Sequence, residues 1–282
     1  MNMNRREFLM GAALAAMPAL AANGNAADAG AAHAGRIRIA HLTDPQLGFS
    51  RQGKTPAAKY AADLKRLERA IGIVNGLKPD LALVTGDVTN RWQDVDKDWP
   101  RLLKMFEVPL AVAPGNHDVG MPVKKEMYDK YMSVFGYDRK AFDVNGWRII
   151  VGNTQFWRKG DLVEEQDKYE EWVKAELEKA KAYKGKVILV GHVPPFAHAF
   201  NERDSYENYP KAGREERLRM YRHAGADLFI CGHTHRMTVH GYGTLTILNA
   251  ETTSNNFDAR PYGFRMFEAA DQYDYSYKFV KV

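Results

Sequence analysis

From Arg36 onward, short apolar runs alternate with amphipathic stretches, the pattern of strands interleaved with helices. Ile37 to Leu42 predicts a strand that stops just before Asp44. Tyr60, Leu64, Leu67, Ile71 and Val74 recur at helical spacing, and Gly76 and Pro79 supply the stop. Leu81 to Thr85 predicts a second strand, ending at Gly86-Asp87, and Trp92 to Phe106 a helix. Leu110 to Ala113 predicts a third strand, which runs into Pro114-Gly115-Asn116-His117-Asp118.

The second half repeats the alternation. Trp147 to Gly152 predicts a strand, and Glu164 to Tyr183 a helix with Glu164/Lys168 and Glu170/Lys174 pairs one turn apart. Val187 to Val190 leads to Gly191-His192. Residues 195 to 212, aromatic, acidic and broken by Pro and Asn, predict a loop over that position, on which Tyr206, Asn208 and Tyr209 read as aromatic loop packing or a substrate rim. A helix from Arg214 to His223 precedes a strand from Leu228 to Cys231, which ends at Gly232-His233-Thr234-His235. The tail turns to β: Thr244 to Leu248, Tyr262 to Phe267, then Tyr273, Tyr275, Tyr277 and Phe279 alternating with polar residues. No repeat or linker interrupts the pattern, which predicts one α/β domain over residues 36–282.

Composition narrows the partners more than the fold. The net charge of +5 is dispersed, with no Lys/Arg block and no basic stripe interleaved with aromatics, so nucleic acid is not an expected partner. The single cysteine, Cys231, excludes an intramolecular disulfide, and its place in an apolar strand marks a small buried side chain.

The first 35 residues follow other rules. Asn4-Arg5-Arg6-Glu7-Phe8-Leu9-Met10 opens an apolar run, Phe8 to Ala22, broken by Pro18. That run is shorter than the roughly 18–20 apolar residues of a membrane-spanning helix. A charged start, a short apolar middle and an Ala-rich exit are the layout of a secretory signal. The Arg pair with Glu-Phe-Leu resembles a bacterial twin-arginine signal. Residues 1–35 are therefore expected to be a signal peptide and disordered leader. The export machinery would be a partner, the destination periplasmic or extracellular, and no membrane span would remain after processing.

The candidate chemistry sits where strands end. Asp44, Asp87, Asn116, His117, His192, His233 and His235 all follow predicted strands, and ligands of open α/β sheets bind at the carboxyl ends of strands. A lone Asp or His is usually a structural hydrogen-bonding group. Recurrence at the same end of five successive strands points instead to a metal site. Two carboxylates, an amide oxygen and imidazoles suit Mn, Fe, Co or Zn rather than a thiolate zinc site.

In order, Asp44-Pro45-Gln46, Gly86-Asp87, Gly115-Asn116-His117-Asp118, Gly191-His192 and Gly232-His233-Thr234-His235 resemble the calcineurin-like metallophosphoesterase superfamily. The resemblance runs over roughly residues 37–269. It implies a four-layer α/β/β/α sandwich and hydrolysis of phosphate esters at a two-metal site. By position, Asp44, Asp87 and His235 would hold one ion. Asp87, as the bridge, with Asn116, His192 and His233 would hold the other. A metal-bridging hydroxide would attack phosphorus in line, with two ions about 3.5–4 Å apart clamping the phosphoryl oxygens. His117 would act as acid or oxyanion donor, oriented by Asp118 or another carboxylate. Asn116, His117 and Arg91 are candidate substrate-binding groups, although Arg91 reads equally as a surface ion pair.

One position departs from the superfamily: Gln46 stands where His is common. Its carbonyl oxygen is a weaker ligand for Zn or Fe than imidazole. It could ligate weakly, act through water, or leave the first site loosely filled. With Asn153-Thr154-Gln155-Phe156 and His192-Val193-Pro194-Pro195-Phe196, the Asp-Pro-Gln variant resembles a subgroup described as serine/threonine phosphatases. The resemblance favours a phosphomonoesterase with divalent or mixed-valence Mn, Fe or Zn, and the neutral oxygen of Gln46 favours harder ions such as Mn. A phosphodiesterase for nucleotides or lipid head groups, or a metal-binding homologue without turnover, are the alternatives.

Overall fold

The computed structural model of the chain describes residues 35–271 and 273–282. The expected signal peptide and leader, up to Ala34, lie outside the described residues. Two mixed sheets make up the frame. The first has the order β11-β10-β1-β2-β3, from β1 (Ile37–Leu42), β2 (Leu81–Thr85), β3 (Leu110–Ala113), β10 (Gly263–Ala269) and β11 (Tyr275–Lys281). The second has the order β4-β5-β6-β7-β9-β8, from β4 (Lys140–Val144), β5 (Trp147–Val151), β6 (Val187–Val190), β7 (Leu228–Cys231), β8 (Val239–Tyr242) and β9 (Leu245–Asn249).

Each central strand is apolar on both faces, as a doubly covered parallel sheet requires. Ile37, Ile39, Leu81 and Leu83 meet Ile149, Val151, Ile188 and Ile230 in a core made between the sheets. The alternate positions, Ala40, Leu42, Ala82 and Val84, face outward into a second core. There they pack with α1 (Pro56–Leu77) and α2 (Val95–Met105). On the far side, α5 (Val163–Ala180) and α6 (Arg214–His223) cover the second sheet through Tyr169, Val173, Leu177, Leu218 and Tyr221. The layers are therefore helix, sheet, sheet, helix, as the resemblance implied.

Helix α1 begins earlier than its apolar period suggested. Thr55 caps it by accepting from the Ala58 N–H, and Pro56 occupies the first turn, where its missing N–H costs nothing. It also runs through Gly76 and ends at Lys78, which is left-handed. A short helix α3 (Asn116–Val119) and α4 (Lys125–Phe135) follow β3. Together with β4, α4 fills a stretch that carried no sequence expectation.

One expectation needs correction. The donors do not share one end of one sheet. Asp44, Asp87 and Asn116 follow β1, β2 and β3, whereas His192 and His233 follow β6 and β7 of the opposing sheet. The site forms where two parallel sets of carboxyl ends converge.

Candidate metal centre

The backbone turns tightly to gather the donors. Asp44, Gln46, Asp87, His233 and His235 have φ between 35° and 74°, a left-handed region that non-glycine residues rarely enter. Such strain persists only where the surroundings over-determine it, which makes it a mark of function. Two glycines allow the turns to nest. A Cβ on Gly232 would lie 1.9 Å from Thr43 Oγ1, and one on Gly115 would lie 2.1 Å from the Asp87 nitrogen.

Each imidazole is fixed by a backbone carbonyl behind it. His192 Nδ1 bonds the Thr85 carbonyl (2.7 Å), His233 Nε2 that of Tyr206 (2.8 Å) and His235 Nδ1 that of Asn255 (2.7 Å). A carbonyl can only accept, so those nitrogens carry protons, and the opposite nitrogens point either a second proton or a lone pair into the site. His192 Nε2 thus faces Asn116 Oδ1 (2.9 Å), Asp87 Oδ1 (3.3 Å) and His233 Nδ1 (3.2 Å). His235 Nε2 faces Asp44 Oδ1 at 3.4 Å. Lone pairs aimed at one another repel unless a proton or cation lies between them.

Donor atoms of Asp87, His192 and His233 lie within 4.8 Å of one another, and so do those of Asp44, Asp87 and His235. Asp87 belongs to both clusters. Asp44 Oδ1 and Gln46 Oε1 are buried with no hydrogen-bond partner. An orphaned buried carboxylate oxygen is costly, and a divalent cation satisfies it. The residues present therefore fit metal ions.

The field in the site agrees. Burial alone would raise the Asp87 carboxyl, but His192 overrides it and holds it far below the usual carboxylate range. Burial disfavours a charged His192, yet Asp87 and Asp44 raise it to about 9. Burial and repulsion from His192 lower His233 to about 4. A site that attracts a proton this strongly at one imidazole offers the same attraction to a cation.

Asp118 does not orient His117. Its carboxylate accepts from the Val88 N–H (2.9 Å) and the Gly115 N–H (2.7 Å), locking the turn after β2 to the turn after β3. His117 Nδ1 instead bonds the Asn90 carbonyl at 3.0 Å, and the His117 backbone N–H donates to Asp87 Oδ1 at 2.8 Å. Arg91 is exposed, with its guanidinium 3.9 Å from Asp94. Its neighbours Asn90 and Trp92, not Arg91, line a cavity of about 300 Å³ beside Asn116 and His117. Glu251 is buried against Arg265, which donates to it twice (2.8 and 2.7 Å).

Tyr206, read from sequence only as rim or loop packing, and a group of residues between the sheets take roles that the sequence reading did not give them. Tyr206, on the expected loop, receives Asn116 Nδ2 on its hydroxyl (2.5 Å) and His233 Nε2 on its carbonyl. It thereby turns Asn116 Oδ1 toward the donors. Between the sheets, Thr43 Oγ1 donates to Asp44 Oδ2 and Thr85 Oγ1 to Thr43 Oγ1 (2.7 Å). His41 Nε2 must then donate to Thr85 Oγ1 (2.9 Å), and Tyr277 OH to His41 Nδ1 (2.6 Å). The four bonds run one way, from the last strand to Asp44. Burial lowers His41 to about 3, which keeps it the neutral link such a chain needs. Its signal was a polar residue at an inward position, Ile37, Ile39, His41, of an otherwise apolar strand.

The pattern of the calcineurin-like phosphoesterase family matches residues 37–237. The chain belongs to that family. It is 26% identical over 244 residues to the serine/threonine-protein phosphatase CPPED1 of Homo sapiens, covering 79% of this chain and 77% of that protein. It is 29% identical over 201 residues to a probable glycerophosphodiester phosphodiesterase GpdQ of Arcobacter nitrofigilis, covering 68% and 70%. A dimetal phosphatase structure from Danio rerio superposes with a TM-score of 0.57 at 13% identity, covering 86% of this chain and 98% of that one. At that identity the likeness shows the fold alone. As a calcineurin-like phosphoesterase the chain is a hydrolase of phosphoester bonds, and its buried donor clusters are suited to divalent metals. No helix among the described residues is long and apolar enough to cross a membrane.

Proposed function

We propose that this chain hydrolyses phosphomonoesters at a centre holding two divalent ions, with Mn foremost. The observation that carries the reading is the pair of donor clusters sharing Asp87, beside the orphaned Asp44 Oδ1 and Gln46 Oε1. Asp44, Gln46, Asp87 and His235 would hold one ion; Asp87, Asn116, His192 and His233 the other. Bound there, such ions supply Lewis acidity toward phosphoryl oxygens and an acidified water as nucleophile.

The chain's own groups do the rest. The Asp87 carboxylate, fixed by the His117 N–H, keeps the two clusters in register. Asn116 adds a neutral oxygen, so the donors bring only two carboxylates, Asp44 and Asp87. That leaves the loaded centre cationic, which favours the dianion of a monoester over the single charge of a diester. The likeness to phosphatases named CPPED1 supports the same order. His117, which holds the Asn90 carbonyl through Nδ1–H, has Nε2 left to pass a proton to the leaving oxygen when the ring is doubly protonated. Export by the expected twin-arginine signal would make the substrate an extracytoplasmic phosphomonoester.

The likeness to GpdQ favours a second reading, a phosphodiesterase. Turnover of an aryl monoester and the matching diester, after chelation and Mn reloading, separates the two. Faster monoester cleavage is expected, and a preference for the diester reverses the assignment.

A further inference from the structure

The cavity of about 300 Å³ beside the metal centre is not needed to hold metal, yet it shares Asn116 and His117 with it. It lies at the small end of the roughly 300–1,000 Å³ typical of ligand sites, room for a body of one or two rings. Its walls are chemically uneven. Trp92 and Tyr206 bring two aromatic side chains, and Met121 and Met127 bring thioethers that pack well against ring edges.

One charge completes the lining. Of the nine residues around the cavity, Lys124 is a lysine and none is a carboxylate. Lys124 has no ion-pair partner among the described residues. Its stem is seated against Gly120, whose Cβ position would be 3.2 Å from Lys124 Cγ. Lys124 is exposed, so its ammonium stands at the solvent rim of the cavity as a cation with no anion among the lining residues.

We propose that this cavity is the leaving-group subsite, built for a planar aromatic alcohol that carries a second anionic group. The proposal rests on the phosphomonoesterase reading, because the ester oxygen must lie near His117 while the ring occupies the cavity. Trp92 and Tyr206 flank the ring, the methionines contact its edges, and Lys124 meets the distal anion. An acyclic alcohol such as glycerol fills none of these contacts.

The test compares 4-carboxyphenyl phosphate, phenyl phosphate and glycerol phosphate on the Mn-loaded full chain, with Trp92→Leu and Lys124→Met variants. Trp92→Leu should lower the aryl-to-glycerol ratio of kcat/KM about threefold to tenfold, the scale of a lost aromatic contact. Lys124→Met should lower the carboxyphenyl-to-phenyl ratio about threefold to fivefold, the scale of a partly exposed ion pair. Ratios unchanged in both variants overturn the subsite. Calorimetric binding of 4-hydroxybenzoate, the alcohol released, reads the subsite without turnover. If the parent cleaves no monoester, the phosphomonoesterase reading fails. Weaker 4-hydroxybenzoate binding by Lys124→Met would still support the subsite, and equal binding would overturn it.

Discussion

At the His192 end of the centre every donor is held from behind. Thr85 and Tyr206 carbonyls fix two imidazoles, and the Tyr206 hydroxyl turns the Asn116 amide. At the Asp44 end only His235 and one carboxylate oxygen are so held, and Asp44 Oδ1 and Gln46 Oε1 have no partner. Aromatic rings crowd this end instead: Phe257 stacks on His235 at 4.6 Å and Phe49 meets it edge-on at 5.4 Å. The contrast teaches that the two donor clusters differ in preorganisation, one imidazole-rich and held by hydrogen bonds, the other oxygen-rich with two oxygens left unpaired.

The largest effect that bears on this contrast comes from the shared group. Asp87→Ala should cost at least about 10³-fold in kcat/KM, the upper range for loss of a key electrostatic group. It should also empty both positions in elemental analysis, and loss of only one ion would deny Asp87 its bridging place. His233→Asn and His235→Asn should each cost about 10²-fold in kcat/KM. Each should lose a different ion, and the His233 variant should keep the more easily chelated one.

Gln46→His sharpens the comparison from the weaker side. An imidazole there should raise Zn affinity at the Asp44 end by about tenfold, read by chelator competition. Unchanged affinity and metal preference would show that Gln46 is not a ligand. Tyr277→Phe removes the first donor of the chain that ends at Asp44. It should weaken metal retention at that end by about tenfold, the lower range for an outer hydrogen-bond partner. The His192 end should not follow.

The smallest effect is on stability of the metal-free protein. His41 binds a proton in the unfolded chain below its ordinary value of 6.5, but in the native chain only below about 3. The unfolded state therefore binds more protons between those values. Stability is complete above 6.5 and is lost as pH falls toward 3. Thermal melts of His41→Gln should show a shallower acid limb than the parent, and equal slopes would remove His41 from this account.

The strands and the polar groups at their ends were legible because each follows a local rule. A short, largely apolar run followed by a polar group, after a Gly in all but β1, reads directly from sequence, and β1, β2, β3, β6 and β7 match their expected bounds. Asp118 was misjudged as the orienting partner of His117 because adjacency in sequence says little about direction. At the start of a helical turn its carboxylate reaches back to Gly115 and across to Val88, away from the His117 ring. The hydrogen-bonding roles of Tyr206 and Tyr277 were illegible for a different reason. Their partners lie 90 and 236 residues away, and only the docking of loop and sheet brings them there.

Those distances along the chain also set an order of events. Asp44 Oδ2 takes the backbone N–H of His233, 189 residues later, and the Asp44 carbonyl takes the hydroxyl of Ser254, 210 residues later. Contacts of such separation form late, after loop-closure entropy has been met by the surrounding core. A growing chain that has passed His235 already holds every motif of the family, yet Ser254 and Tyr277 have still to arrive. The Asp44 end therefore needs sequence beyond the family pattern, after residue 237, for its completion.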